Sequence, residues 1–176
     1  MDALIPRYPA APEAALRFVL IDRLLELEPG KRAVAAAVFP RTLDVFADHF
    51  PGHPIVPGVL LTEAMGQTAG WLIAATIGFD RWPLLVMIDH AKFRRLVTPD
   101  EELRLSAQMR STHDQSFAVD AEATSGGERV ATARLIFHSF AFSLPDHDQQ
   151  AFLTWARQTF ADLGGNALLT AHRRNT

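Results

Sequence analysis

A chain of 176 residues, with 48% hydrophobic and 21% charged residues, has the composition of one globular domain with a buried core. Its formal net charge of −3 gives no support for a nucleic-acid-binding protein. The chain has no cysteine, which excludes disulfides, thiolate catalysis and thiolate metal ligands.

The N-terminal part predicts a loop with a short helical turn over residues 1–15, followed by two strands. Residues 18–27 and 32–39 have the apolar and β-branched texture of strands, and the Pro-Gly turn between them predicts a β-hairpin. Residues 41–46 are expected to form a brief helix. The first residues include an acid and a proline and lack a long apolar run, so we expect no signal peptide and a cytoplasmic protein.

Residues 59–79 are the longest apolar segment and predict a central helix. Apolar residues cover nearly every face of this helix, so other elements should wrap around it. Its length is close to the ~20 residues that a bilayer needs. Glu63 and Gln67 argue against a membrane span, because a buried acid in lipid is costly.

The second half of the chain predicts a run of strands separated by turn residues. They are expected over residues 84–89, 92–97, 101–111, 116–124 and 129–142. One hairpin, one long helix and these strands indicate an α+β domain with a curved, mostly antiparallel sheet around the helix.

A further helix is predicted over residues 146–163. Asp146 and Gln149 have the spacing of a capping box, and Gly164 should end the helix. One face is apolar and should dock on the domain or on a neighbouring subunit. This face consists of Ala151, Phe152, Trp155, Ala156, Phe160 and Leu163.

The segment between residues 48 and 67 carries the chemistry. Prolines and glycines hold His49 on a stiff loop, and an imidazole titrates near neutral pH, as a general base should. Pro57 can act as the first helical residue, which leaves the N–H groups of Gly58 and Val59 free to bind an anion. Glu63 follows in an apolar setting in which a carboxyl group can hold a proton and act as an acid.

Residues 49–67 read HFPxxPxxPGVLxxEAxxQ, which closely resembles the active-site signature of the 3-hydroxyacyl-[acyl-carrier-protein] dehydratases. The resemblance extends from about residue 16 to about residue 142. Residues 18–26 resemble the opening strand of that family, and residues 88–93 resemble the strand that lines its acyl tunnel. It implies a hot-dog fold over residues 1–143, with residues 144–176 as a helical extension beyond the usual family end. This extension either covers a sheet edge of its own chain, or packs against the end of the acyl tunnel or the contact between dimers and so affects chain-length preference or assembly.

The resemblance also implies roles for single residues. His49 would be the base and Glu63 the acid, and Gln67, one turn along the helix, would orient the carboxyl group. The N–H of Gly58 would bind the thioester oxygen, and that of Val59 the reacting hydroxyl or water. The other expected substrate-binding residues are Phe50, Pro57, Ile88 and Phe93.

The implied partner is an acyl carrier protein that carries a 3-hydroxyacyl chain. The family forms a homodimer in which the histidine of one subunit faces the carboxylate of the other, with a trimer of dimers as a larger assembly. We expect no cofactor, no metal, no nucleic acid and no membrane. Lys92, Arg94 and Arg95 are candidates for contact with the acidic carrier, although a solvated strand edge explains them equally well.

Other functions on the same fold are an acyl thioesterase and a non-catalytic acyl-binding module. Glutamate at position 63 favours the plain dehydratase over the dehydratase/isomerase type, which has aspartate there. His53 lies four residues from His49, but the intervening prolines prevent the helical spacing of a zinc site. Residues 96–101 depart from the family pattern, so the rim of the tunnel should differ.

Overall fold

A computed structural model describes residues 18–141 and 146–174, without the side chains of residues 146–148. The expected loop and turn over residues 1–15 lie outside this description. The elements, in chain order, are β1 Arg23–Glu28, β2 Arg32–Val38, α1 Val45–Asp48, α2 Gly58–Thr76, β3 Trp82–Phe93, β4 Glu102–His113, β5 Ser116–Ser125, β6 Glu128–Phe140, α3 Asp146–Asp162 and α4 Gly165–Arg174.

The six strands form one antiparallel sheet in the order β1-β2-β4-β5-β6-β3, and α2 contacts every strand. On β5, every second residue from Phe117 to Ala123 is buried, as expected for a strand with one face on a helix. Met65, Leu72 and Ile73 of α2 are fully buried in the resulting core. The predicted α+β architecture, a sheet curved around a central helix, is confirmed.

Three predicted strands differ from the structure. β1 begins at Arg23 rather than near residue 18, because the backbone at Phe18 and Leu20 bonds to the side chain of Gln67 and not to another strand. The strands expected over 84–89 and 92–97 are not separate: β3 runs from Trp82 to Phe93, and residues 94–97 lie outside any strand. A β-bulge between Ile88 and His90 lies where the strand-like pattern of the sequence is interrupted, and the strand continues past it.

The C-terminal extension is a helical hairpin, of which only the first helix was predicted. α3 ends at Asp162, Gly164 has a φ of 84°, and α4 follows at once. The ring of Phe160 lies so close to Gly165 that a Cβ there would be 2.3 Å from it, so the hairpin needs glycine at this position. The side chain of Asp146, and with it the capping box, lies outside the described part.

This hairpin packs on its own chain. The N–H of Leu24 in β1 donates to the carbonyl oxygen of Leu163 at 2.8 Å. The Phe160 ring lies 5.0 Å from that of Phe79 and 5.9 Å from that of Trp71. The outer edge of β1 is therefore covered, whereas β3 is the other edge of the sheet.

Candidate active site

His49 follows the short helix α1 and is held by the backbone on both sides. Its N–H donates to the carbonyl oxygen of Val45 at 3.0 Å, and its carbonyl oxygen accepts from the N–H of Ile55 at 3.1 Å. The peptide bond to Phe50 is cis, and the Phe50 ring stacks on the imidazole at 4.3 Å. The loop therefore holds the imidazole in one place.

The same loop sets the tautomer of His49. Nδ1 lies 3.1 Å from the carbonyl oxygen of Ile55, and a carbonyl only accepts, so Nδ1 carries the hydrogen of this bond. In the neutral ring Nε2 then has a lone pair. The side chain is half-buried, and Nε2 is the nitrogen that can take a proton from a substrate.

The N-terminus of α2 differs by one residue from the prediction. Pro57 is the N-cap with ψ of 134°, and Gly58 is the first helical residue. The carbonyl oxygen of Pro57 accepts from the N–H groups of Leu60 and Leu61, and those of Gly58 and Val59 have no place in the helical ladder. Pro57 itself is buried, so it shapes this helix start rather than facing a substrate.

Phe93, at the end of β3, lies over this helix start. A Cβ built on Gly58 would be 2.9 Å from the Phe93 ring, a distance that real side chains do not reach. The close approach explains the glycine and joins β3 to the free N–H groups of α2. Val59 points away from the core and is 74% exposed.

Glu63 lies on the next turn and has a fixed carboxyl group. Nε2 of Gln67 donates to Oε1 of Glu63 at 2.9 Å and to the carbonyl oxygen of Phe18 at 3.2 Å. The other end of the Gln67 amide accepts from the N–H of Leu20 at 2.8 Å, which sets the orientation of the amide. Oε1 is thereby occupied, and Oε2 is the oxygen that can carry a proton towards a substrate.

Glu63 and Gln67 form the polar part of a largely apolar cavity of about 300 Å³. Gly66 and Gly70 have no side chains, so the backbone of α2 forms part of one wall. The other walls come from residues 18–19, β3, β6 and α3. Trp155 lies on the predicted apolar face of α3, and its place in this cavity agrees with the alternative in which this helix packs against the end of the acyl tunnel. The contribution of Trp71 could have been predicted from the sequence, because Trp71 continues the spacing of four residues from Glu63 and Gln67 on one face of the helix.

His49 and Glu63 do not share this cavity. Among the described residues that line it, neither His49 nor the expected substrate residues Phe50, Ile88 and Phe93 occur. Ile88 instead lies on the open edge strand β3 and is about half exposed, as Phe50 and Phe93 are. The single chain thus holds the two halves of the expected site apart.

The segment that departs from the family pattern is organised by an ion pair. The Arg95 guanidinium contacts both carboxylate oxygens of Glu101, at 3.2 and 2.9 Å. Together with hydrogen bonds from Thr98 and Ser125, this guanidinium lowers the pKa of Glu101 to about 2, against the effect of burial. Arg95 is therefore committed to the loop, whereas Lys92 and Arg94 line an open charged groove on the sheet.

His53, His90 and His113 lie at the surface. His53 and His113 are exposed, and Nδ1 of His90 lies 2.8 Å from the Asp89 carboxylate. Among the described side chains, which are those of residues 18–141 and 149–174, no group of three or more candidate ligands could hold a metal ion. In the same ranges, no helix is both long and apolar enough to cross a bilayer.

Comparison with known proteins decides the family. The family model of the ApeI dehydratases matches residues 26–131. The chain is 40% identical over 137 residues to the 3-hydroxyacyl-[acyl-carrier-protein] dehydratase FabZ of Syntrophotalea carbinolica, covering 77% of this chain and 88% of the relative. It is 39% identical over 138 residues to FabZ of Chloroflexus aggregans, covering 77% and 90%.

The chain belongs to the 3-hydroxyacyl-[acyl-carrier-protein] dehydratase family. It is thus a member of a family of hydro-lyases. Solved structures agree on the hot-dog fold. The ApeI:P dehydratase heterocomplex of Xenorhabdus doucetiae superimposes with a TM-score of 0.57 at 15% identity, covering 77% of this chain and 89% of that one. The conserved protein PA5202 of Pseudomonas aeruginosa gives 0.56 at 22% identity, covering 67% and 87%.

Proposed function

We propose that this chain converts a 3-hydroxyacyl-[acyl-carrier-protein] into the trans-2-enoyl thioester, with His49 as base and Glu63 as acid. The observation that carries the proposal is the carboxyl group of Glu63, which Gln67 holds by one oxygen inside an apolar cavity. A cavity of this kind suits an acyl chain, and its one carboxyl group suits a reacting hydroxyl.

The chemistry follows from the free atoms of the site. Nε2 of His49 takes the proton from C2, and Glu63 gives its proton from Oε2 to the hydroxyl on C3, which leaves as water. The electrons of the C2–H bond form the new double bond to C3. The N–H of Gly58, at the positive end of α2, stabilises the charge that develops on the thioester oxygen.

The site is complete only in a homodimer, in which His49 of one protomer faces Glu63 of its partner. Two features support this arrangement. His49 is absent from the described lining of the cavity that contains Glu63. The edge strand β3 has no neighbouring strand on its outer side in the described part and exposes Leu84, Val86 and Met87.

An open apolar edge strand is a surface that proteins cover. Pairing of β3 with β3 of a second copy around a two-fold axis would join the sheets and bring the exposed Ile88 and Val59 near the partner. A trimer of such dimers is the larger assembly that we propose to look for. The carrier protein would contact Lys92 and Arg94 rather than Arg95, and the cytoplasm is the compartment in which we place the enzyme.

The test is subunit complementation. His49→Ala and Glu63→Gln should each lower the dehydration rate by ~10²–10⁴-fold. Mixed subunits of the two variants should regain activity, because one of the two sites in each mixed dimer has both residues. No recovery after verified subunit exchange would contradict the shared site, and either variant with more than about a tenth of the rate would contradict the assigned roles.

A thioesterase is the second function that the same cavity could support. Product analysis separates the two, because hydrolysis releases a free acid and a thiol, whereas dehydration leaves the thioester bond intact and adds the absorbance of the enoyl group. A non-catalytic acyl-binding module would bind the same acyl carrier proteins and turn over none.

A further inference from the structure

The cavity that contains Glu63 has two chemically different ends. Glu63, Gln67 and Trp71 all line it and follow one another at intervals of four residues along α2. Eight residues of helix span about 12 Å, so the carboxyl group and the Trp71 ring are separated by about that length along the cavity. One end is polar and reactive, and the other end is aromatic.

The three tryptophans of the chain meet at the aromatic end. The ring of Trp82 in β3 lies 5.4 Å from that of Trp71. The ring of Trp155 in α3 lies 6.5 Å from Trp71 and 6.2 Å from Trp82. All three line the cavity, and Trp155 is the one that the C-terminal extension contributes.

We propose that Trp155 is a specificity-determining residue that closes the far end of the acyl cavity and so limits the length of the chain that fits. This rests on the proposed function, since it takes the occupant to be the acyl chain whose reacting carbons lie at Glu63. The extension beyond the hot-dog domain then serves the site directly.

The burial of the three rings explains why Trp155 is the removable wall. Trp71 is 5% exposed and belongs to the core, whereas Trp155 is 45% exposed, with one side on the cavity and one side in water. Truncation of Trp155 therefore opens the cavity outward and leaves the core beneath it in place. Truncation of Trp71 would instead leave a void in the core.

The dimensions predict where the effect begins. An extended chain advances about 1.25 Å per C–C bond of about 1.5 Å, so about nine to ten carbons beyond the reacting atoms span 12 Å. Chains of four to eight carbons should not reach Trp155, whereas chains of twelve or more should collide with it.

The experiment compares Trp155→Ala with the matched control Phe152→Ala. Phe152 lies on the same helix, its ring is 5.1 Å from that of Trp82, and it is not among the described residues that line the cavity. The measured quantity is the ratio of kcat/KM for the C14 to that for the C8 3-hydroxyacyl-[acyl-carrier-protein]. We expect Trp155→Ala to raise this ratio about tenfold and Phe152→Ala to leave it unchanged. The same ratio in both variants and in the unmodified enzyme would overturn the proposal.

A second variant tests the same idea with the opposite sign. A Cβ on Gly70 would meet no atom within 4 Å, so Gly70→Ala adds a methyl group to the cavity wall without a clash. We expect it to raise the melting temperature, because alanine favours a helix, and to lower kcat/KM for the long substrates. An unchanged length profile in this stabilised variant would count against the acyl cavity as described.

A binding measurement separates failure of this inference from failure of the proposed function. Calorimetry with saturated C8 and C14 acyl-pantetheine thioesters does not depend on turnover. If Trp155→Ala gains affinity for the C14 thioester alone, the length limit stands even in a protein that dehydrates nothing. If the enzyme is active but Trp155→Ala changes neither the affinity for the C14 thioester nor the ratio of kcat/KM between C14 and C8 substrates, Trp155 does not limit the chain length.

Discussion

The side-chain amide of Gln67 donates a hydrogen bond of 2.9 Å to Oε1 of Glu63, one helical turn away. Gln67 also bonds to the backbone at Phe18 and Leu20, so it ties the carboxyl group to the segment before β1. A residue that acts through Glu63 in this way is a positioning residue.

We expect Gln67→Leu to lower kcat by roughly 10-fold to 10²-fold with a smaller change in KM, because misplacement of a catalytic group is costly. It should also lower the free energy of unfolding by about 1–3 kcal/mol, since the N–H of Leu20 loses its acceptor. Steady-state kinetics and urea unfolding measure the two effects.

Gln67→Glu separates positioning from packing. Its carboxylate can still accept from the N–H of Leu20, but it cannot donate to Glu63. It should therefore lose kcat while it keeps more stability than Gln67→Leu. Full activity of Gln67→Glu would show that the bond to Glu63 does not matter for the reaction.

The contact between Gly58 and Phe93 predicts a second effect. Gly58→Ala places a Cβ about where the Phe93 ring lies, so the ring must move away from the N–H groups at the start of α2. We expect kcat/KM to fall by at least about tenfold, because the N–H of Gly58 is the proposed donor to the thioester oxygen. Kinetics of the purified variant measure this loss.

A double-mutant cycle provides the control for Gly58. In a Phe93→Ala background the added methyl group has room, so Gly58→Ala should cost much less there. Equal losses in both backgrounds would mean that the backbone conformation at Gly58, and not the ring of Phe93, requires glycine.

Glu101 predicts the response of stability to acid. Its pKa of about 2 in the folded protein lies below the ordinary value of 4.5, so the ionised form favours folding. This contribution is fully present above pH 4.5 and is lost as pH falls towards 2. Glu101→Gln should therefore lower the free energy of unfolding at pH 7 by on the order of 2 kcal/mol, and much less near pH 2.

The neighbouring residue offers the control for this pH dependence. Glu102 is exposed at the start of β4, so Glu102→Gln changes the same charge on the surface. Urea titrations at pH 7, 4 and 3 should show a difference that shrinks with acid for Glu101→Gln alone. Parallel curves for the two variants would contradict the role of the Arg95–Glu101 pair.

The open edge of β3 predicts the effect of a charge on assembly. Val86 is 53% exposed on this strand, so Val86→Lys should leave the monomer folded. Between two copies it would bury like charges across the two-fold axis, which should give monomers in sedimentation and remove activity. Thr112→Lys, an equal charge at an exposed position of β4 that is not among the residues lining the groove of Lys92 and Arg94, should leave both unchanged. A dimeric, active Val86→Lys enzyme would place the interface elsewhere.

Local chemistry explains what the sequence determined by itself. Proline fixes φ and glycine permits a positive φ, each at its own position. The loop at His49, the start of α2 within one residue and the end of α3 at Gly164 could therefore all be predicted. Alternation along β5 and the all-round apolar surface of α2 likewise required a sheet around a helix. The signature over residues 49–67 was sufficient to indicate the family.

Tertiary structure decided whatever depends on residues far apart in the chain. The partners of Gln67 lie 47 and 49 residues away, and their bonds to it explain why the first strand begins only at Arg23. The need for glycine at position 58 is explained only by the ring of Phe93 at the end of β3. Trp155 reaches the cavity wall only because α3 docks on the domain. No local propensity encodes these approaches, because each depends on how the sheet brings separate segments to one face of α2.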